Sequence, residues 1–357
     1  MRGTYDRGGG NQGGADASHF LYQTADDFNV TLDVEGPGVL YFARYNHWHG
    51  SPWHFVVDGQ DDVVADTATA APDSPPPTST FVPAASFPAP LALTYAATQG
   101  GDVSWVPMGF TRSLALAHGH SHYGTGYFVY SLYDPDAALS SPVTAWAAAQ
   151  APPADVVALL ASAGSDLAPW GPGVATAAGT LDVPASGAVT LAELAGPAAV
   201  RLVRLTVPSA SEVAIESAHL RITWDGRPWP SVDAPVPLLF GAGTLYDRSG
   251  AEYLVKSLPA VIREVAAGAE LSLYFPMPFR QSARVELVGG GAAAPAIAWE
   301  LRTVASADPP GTVGAFHATY VDHGVPTPGK DLVLLDTTQV EGGGDACGAV
   351  VGTSLIF

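Results

Sequence analysis

Histidine, tryptophan and carboxylate side chains gather at a few places in this chain, and each gathering could do chemistry. NHWHGSPWH, residues 46–54, holds three histidines and two tryptophans. Trp48 or Trp53 could stack against the flat face of a sugar, while His47, His49 or His54 hydrogen-bonds its hydroxyls. The plainer reading is a loop whose aromatics cover the end of a sandwich. HGHSH, residues 118–122, sets His118, His120 and His122 two apart. On a strand all three would face one side, and neutral imidazoles take zinc or copper. Gly119, Ser121, Gly124 and Gly126 argue for a polar turn instead, and no cysteine or carboxylate stands nearby at ligand spacing. No metal and no other cofactor is therefore expected. WDGRPWPSV, residues 224–232, puts Asp225 and Arg227 beside two tryptophans. Asp-Gly is a strong hairpin turn, and it recurs at Asp58-Gly59, so an architectural role is expected. His317, in AFHATY, reads as a core histidine. There is no Gly-x-Ser-x-Gly elbow, and the glycine runs lack the lysine and helix of a phosphate loop.

The elements that must position these groups are written twice. WHFVVDG is followed by WVPMGFTRSLAL, and LRITWDG by YFPMPFRQSARVEL. Gly36-Pro37 and Gly196-Pro197 precede the two copies, each before an apolar run. Three anchors in one order at near-constant offset indicate two copies of one β-domain, because the period is far too long for a solenoid. Short alternating runs between turn residues predict about eight strands per copy. The fold class is all-β, two tandem jelly-roll β-sandwich domains with a short helical linker. The expected boundaries are residues 1–140 for the first domain and 141–178 for a linker with one helix in PPADVVALLASAG. The second domain takes 179–305, and 306–357 holds strands that open a further β unit or complete a neighbour.

Composition limits what such a protein can do. A chain of 357 residues, 47% hydrophobic and 14% charged, builds real cores and is not disordered. The 39 glycines and 31 prolines favour many short strands over long helices. The formal charge is −19, with Lys256 and Lys330 as the only lysines, which excludes nucleic acid and anionic membrane surfaces as partners. Cys347 is the single cysteine, so no intrachain disulfide forms. No apolar stretch approaches the roughly 20 residues of a transmembrane helix, and MRGTYDRGGGN does not read as a signal peptide.

These anchors together resemble a known family. TYDRGGGN is similar to its Ser/Thr-Tyr-Asp-Arg-Thr-Gly-Gly-Asn opening, and VEGPGVLYFARY to its Gly-Pro-Gly strand. TWDGRPWPSVDAPVPLLFGAG with YFPMPFRQSARVEL is the closest match, and GAFHATY and a final VVG echo the family's next stretch. The family is glycoside hydrolase family 172, also catalogued as domain of unknown function 2961. The resemblance implies jelly-roll domains, assembly into trimers or multiples of them, and retaining hydrolysis of arabinofuranose or fructofuranose glycosides. It implies a carbohydrate ligand and a secreted, periplasmic or cell-surface location in a bacterium. It also places Asp6, Arg7 and Asn11 in the opening motif, where they would approach a sugar or else cap a tight glycine turn. Retention needs two carboxyl groups about 5 Å apart. The family's glutamates stand in Gly-Asp-Glu and Gly-Thr-Glu-Asp-Tyr-Phe segments beyond the Val-Gly strand, and no GTEDYF occurs here. The expectation is a carbohydrate-active protein whose catalytic carboxylates lie outside this chain. The alternative is a non-catalytic, assembling or glycan-binding protein on the same scaffold.

Overall fold

The computed structural model describes residues 2–3, 20–45, 52–67, 78–98, 101–119, 126–245, 250–306, 308–309, 312–327, 330, 332–343 and 348–355. Two compact units divide the chain, Met1–Ala161 and Ser162–Phe357.

The first unit is a sandwich of two antiparallel sheets. Its strands are β1 (Arg2–Gly3), β2 (Tyr22–Gln23), β3 (Phe28–Glu35), β4 (Gly38–Tyr45), β5 (Trp53–Val57) and β6 (Gln60–Asp66). β7 (Phe81–Val82), β8 (Ala92–Leu93), β9 (Asp102–Ser104), β10 (Met108–Phe110), β11 (Ser113–Gly119) and β12 (Gly126–Leu132) complete it. One sheet runs β1-β12-β4-β9-β8 with β10 on β4, and the other runs β2-β3-β11-β5-β6-β7. Alternation decides the inner faces: Trp53, Phe55 and Val57 of β5 are buried, and the residues between them are half-buried. They close on Leu32, Leu40, Met108, Phe110, Leu114 and Phe128. The predicted helix is Ala154–Ala161, following Pro152-Pro153. It packs Val156, Val157 and Leu160 on this core, so it belongs to the first sandwich.

The second unit repeats the plan. Its strands are β13 (Val174–Val183), β14 (Ala188–Ala195), β15 (Ala198–Pro208), β16 (His219–Trp224), β17 (Val232–Pro235) and β18 (Tyr253–Lys256). β19 (Ala260–Val265), β20 (Gly268–Leu273), β21 (Met277–Phe279), β22 (Ser282–Val288) and β23 (Ala294–Ala305) complete it. One sheet is β13-β23-β15-β20-β19-β18 with β21 on β15, and the other is β14-β22-β16-β17. Trp224 stacks on Phe279 at 5.9 Å within a core that includes Val200, Leu220, Ile222, Met277 and Leu287. Among the described residues beyond Ala305 the expected strands do not form. The pairing there is a single parallel bridge, Val232 to Ala318.

The structure explains why the sequence repeats. In each unit the three anchors touch. Asp58 and Gly59 take φ of 52° and 90°, and Asp225 and Gly226 take 54° and 66°, the left-handed pair that a two-residue hairpin turn requires. The carboxylate of Asp58 accepts the amide N–H groups of Thr111, Arg112 and Ser113 at 3.0, 2.7 and 3.0 Å. That of Asp225 accepts those of Arg280, Gln281 and Ser282 at 2.9, 2.6 and 3.2 Å. Gly36 N–H donates to the Arg112 carbonyl at 2.7 Å, and Gly196 N–H to that of Gln281 at 2.8 Å. The Pro-Met strands share a register as well: Met108 faces Leu40 and Met277 faces Val200. Burial pushes the Asp58 carboxyl up, but the Thr111 hydroxyl and the three amides outweigh it and hold its pKa at about 2. The architectural reading of both Asp-Gly turns is thus the observed one.

Candidate functional site

The groups that could do chemistry in the second unit meet on the outer face of the β16–β17 hairpin. In β16 the even positions, Leu220, Ile222 and Trp224, are buried, which turns His219 and Arg221 outward. Register places Arg221 opposite Asp233 of β17. His219 Nδ1 lies 2.6 Å from one oxygen of Asp233, and Arg221 donates to the other from Nε and Nη2 at 3.1 and 2.9 Å. The loop between the strands carries Trp229, half of whose surface is exposed.

Two later segments complete the walls. Residues 315–320 run beside β17. Asp233 N–H donates to Ala318 C=O at 3.1 Å, and Ala318 N–H donates to Ser231 C=O at 2.9 Å. The Trp224 indole N–H donates to Phe316 C=O at 2.7 Å. This fixes Tyr320 edge-on to His219, with ring centroids 6.0 Å apart. Further on, Glu341 accepts from Arg227 Nη1 at 3.0 Å and from the Ser231 hydroxyl at 3.3 Å, and its other oxygen bonds His317 Nδ1. Between these groups lies an open cavity of about 580 Å³ lined by His219, Arg221, Trp229, Asp233, Tyr320 and Glu341, among others. Its charge is balanced, because each carboxylate is held by one arginine and one histidine. The oxygens of both carboxylates keep lone pairs for hydroxyl donors, and two exposed rings offer flat apolar faces.

The residues singled out in the sequence fall elsewhere. Asp6, Arg7, Asn11, Trp48, His49, His120 and His122 lie outside the described residues. Trp53 is described, and its place corrects the stacking reading. It is 2% exposed, in contact with Tyr45 at 4.8 Å inside the first core, and offers no ring face to a ligand. His118 is buried too, with Nδ1 2.9 Å from Gly119 C=O. Among the described residues no group of three or more His, Cys, Asp or Glu side chains could hold a metal ion. His54 pairs with Asp61 at 2.7 Å. His317, expected in a core, is instead well exposed and paired with Glu341, because the chain carries only its neighbours Phe316 and Ala318 inward. Arg227, read as part of a turn, also reaches Glu341. His219, Asp233, Tyr320 and Glu341 were missed. The alternation of HLRITW could have flagged His219 and Arg221 as outward, but nothing local marks Tyr320 or Glu341.

Trp53 and His118 belong to a polar layer that ends the first sandwich. Register sets Asn29, His118 and Trp53 side by side on one sheet, and Gly126, Tyr45 and Asp102 on the other. Among the described residues the Asn29 amide, the Tyr45 hydroxyl and the Trp53 indole N–H are buried without hydrogen-bond partners, places where ordered water commonly sits. Asp102 is fully buried near Asp66. Burial first, and then the charge of Asp66, push its pKa up to about 8, against the pull of the Tyr95 amide and Arg44.

Comparison with known families singles out one stretch of the second unit. Residues 173–296 match the family model described as GH172 domain-like. The second unit thus carries a GH172-like domain, as the resemblance of the WDG and PMPF motifs implied. No curated protein matches the chain. The matched stretch supplies His219, Arg221, Trp229 and Asp233 of the cleft, and the chain after it adds Tyr320 and Glu341. A GH172-like domain points to a carbohydrate-active protein. Among the described residues no helix is long and apolar enough to cross a membrane.

Proposed function

We propose that this protein binds a carbohydrate in the cleft of its second unit, with arabinofuranosides and fructofuranosides as the first ligands to try. The observation that carries this reading is the pairing of two exposed aromatic rings, Trp229 and Tyr320, with two hydrogen-bonding carboxylates in one cavity. A sugar presents that pattern in reverse: apolar ring faces, and hydroxyls at its edge that donate to carboxylates. Each carboxylate is already engaged by an arginine and a histidine, an arrangement suited to anchoring hydroxyls. Retaining hydrolysis would need a carboxyl pair free to act as nucleophile and acid, and the reading leaves that pair to residues outside this chain. A secreted or cell-surface location fits such a ligand.

A second reading, assembly of like copies, draws on the exposed apolar side chains Val321, Val325, Val333, Leu334, Leu335, Val350 and Val351, which single copies seldom leave uncovered. The two readings are compatible. Titration calorimetry with arabinofuranosyl and fructofuranosyl oligosaccharides tests the first, alongside an assay for released sugar. Saturable binding that Trp229→Ala abolishes supports the cleft. Binding untouched by Trp229→Ala and Tyr320→Ala moves the sugar elsewhere, and no binding of any glycan refutes the reading.

A further inference from the structure

Residues 336–343 cross the wall of the cleft without joining a sheet. Their backbone hydrogen bonds among the described residues are internal: Gln339 N–H donates to Asp336 C=O at 3.0 Å, and Gly343 N–H to Val340 C=O at 2.9 Å. Asp336 turns back on the Thr338 amide and hydroxyl at 3.0 and 2.7 Å. The segment is therefore a small folded piece with its own bonds. Among the described residues, Glu341 alone of its side chains hydrogen-bonds the sandwich, and it does so three times, to Arg227, Ser231 and His317. Next to it Gly342 lies flat on Trp229. A Cβ at Gly342 would stand 2.6 Å from the ring, and its φ of +82° suits glycine. Val340 and Glu341 line the same cavity as Trp229.

We propose that residues 336–343 form a strap that gates the cleft, with Glu341 as its pin and the Gly342–Trp229 contact as its seat. One carboxylate accepting from a guanidinium, an imidazole and a hydroxyl holds the strap down. The strap can lift as a unit because its own turns do not depend on the sandwich. Lifting uncovers the face of Trp229 that Gly342 occupies and widens the cavity on that side. The strap itself does not depend on what the cavity binds; only its role in admitting a sugar rests on the carbohydrate reading above.

Two substitutions attack the strap independently. Glu341→Ala removes the pin. Gly342→Ala leaves every charge in place and drives a methyl group into a rigid ring. Hydrogen exchange of peptides covering residues 336–343, and acrylamide quenching of Trp229 taken as the difference from Trp229→Phe, read the outcome without any ligand. Glu341→Ala should speed exchange at least about tenfold, the size expected for losing one charge-assisted hydrogen bond, and Gly342→Ala should speed it in the same direction through the clash with Trp229. Each should also raise quenching of Trp229. Glu341→Gln, which keeps an acceptor and loses the charge, should fall between parent and Glu341→Ala, and it serves if the alanine variant folds poorly. Unchanged exchange in both Glu341 variants and in Gly342→Ala overturns the strap. Faster exchange with unchanged quenching overturns the gate. Loss of sugar binding in the parent would leave both readouts intact, so failure of the ligand reading and failure of the strap are told apart.

Discussion

Asp102→Asn should make the first unit less sensitive to pH. Asp102 is buried, and its pKa is pushed up to about 8 from an ordinary 3.8. A carboxyl whose folded value lies above its unfolded value favours the fold only while protonated. Its contribution is full below about pH 4 and is lost as the pH rises through about 8. Between those limits the loss is about 1.4 kcal/mol per pH unit. From pH 5 to pH 7 the parent should thus lose about 3 kcal/mol through this group, a ceiling because the rise depends in part on the neighbouring Asp66. Asparagine is isosteric, keeps an oxygen for the Tyr95 amide now bonded at 2.9 Å, and carries no titrating proton. Hydrogen exchange of the β4 and β9 amides, measured at pH 5 and 7 and corrected for intrinsic rate, reports this unit by itself. The stability difference between Asp102→Asn and the parent should grow in favour of the variant across that interval. Taking 2–4 °C per kcal/mol for a unit of this size, the gap in melting temperature would reach roughly 6–12 °C. Parallel pH profiles would refute the reasoning, because they would mean that Asp102 is ionised at no cost in the fold.

The turns that tie the repeat together give a second expectation. Asp58→Ala and Asp225→Ala should each destabilise their own unit by about 1–2 kcal/mol, the cost of stranding amides that a partly exposed carboxylate now accepts. For Asp58, whose pKa is held at about 2, that contribution is present above pH 4 and fades as the pH falls through 2. Urea unfolding at pH 7 and at pH 2 should show the deficit of Asp58→Asn shrinking at the lower pH. Asp166 bonds Arg204 at 2.8 Å and the fully buried Arg302 at 3.0 Å; burial raises its carboxyl, but these guanidinium groups outweigh that and hold it below its usual value. Asp166→Asn should therefore cost the second unit about 2 kcal/mol in urea unfolding at neutral pH. Trp229→Ala should abolish binding of the sugars tested in calorimetry while leaving the melting temperature of the second unit within a few degrees of the parent, since half of the ring is already in solvent.

The sequence by itself determined the local and the repeated features. Asp-Gly before an alternating run demands left-handed φ at both positions, and both hairpins have it. Alternation in WHFVV and HLRITW set which side chains face inward, because the strand period is two whatever the rest of the chain does. The same alternation holds Trp53 in the core, and the histidines around it do not change its phase. The cleft was decided by tertiary structure alone. Arg227 and Glu341 are 114 positions apart, and they meet because residues 315–320 pair beside β17 and residues 336–343 then turn back over Trp229. The polar layer of the first unit, with Asp66 facing Asp102, likewise depends on the register of two sheets. Backbone sterics and the strand period act over a few residues, so a sequence displays them. Register and chain return arise from the summed packing of the whole core, which no short motif contains.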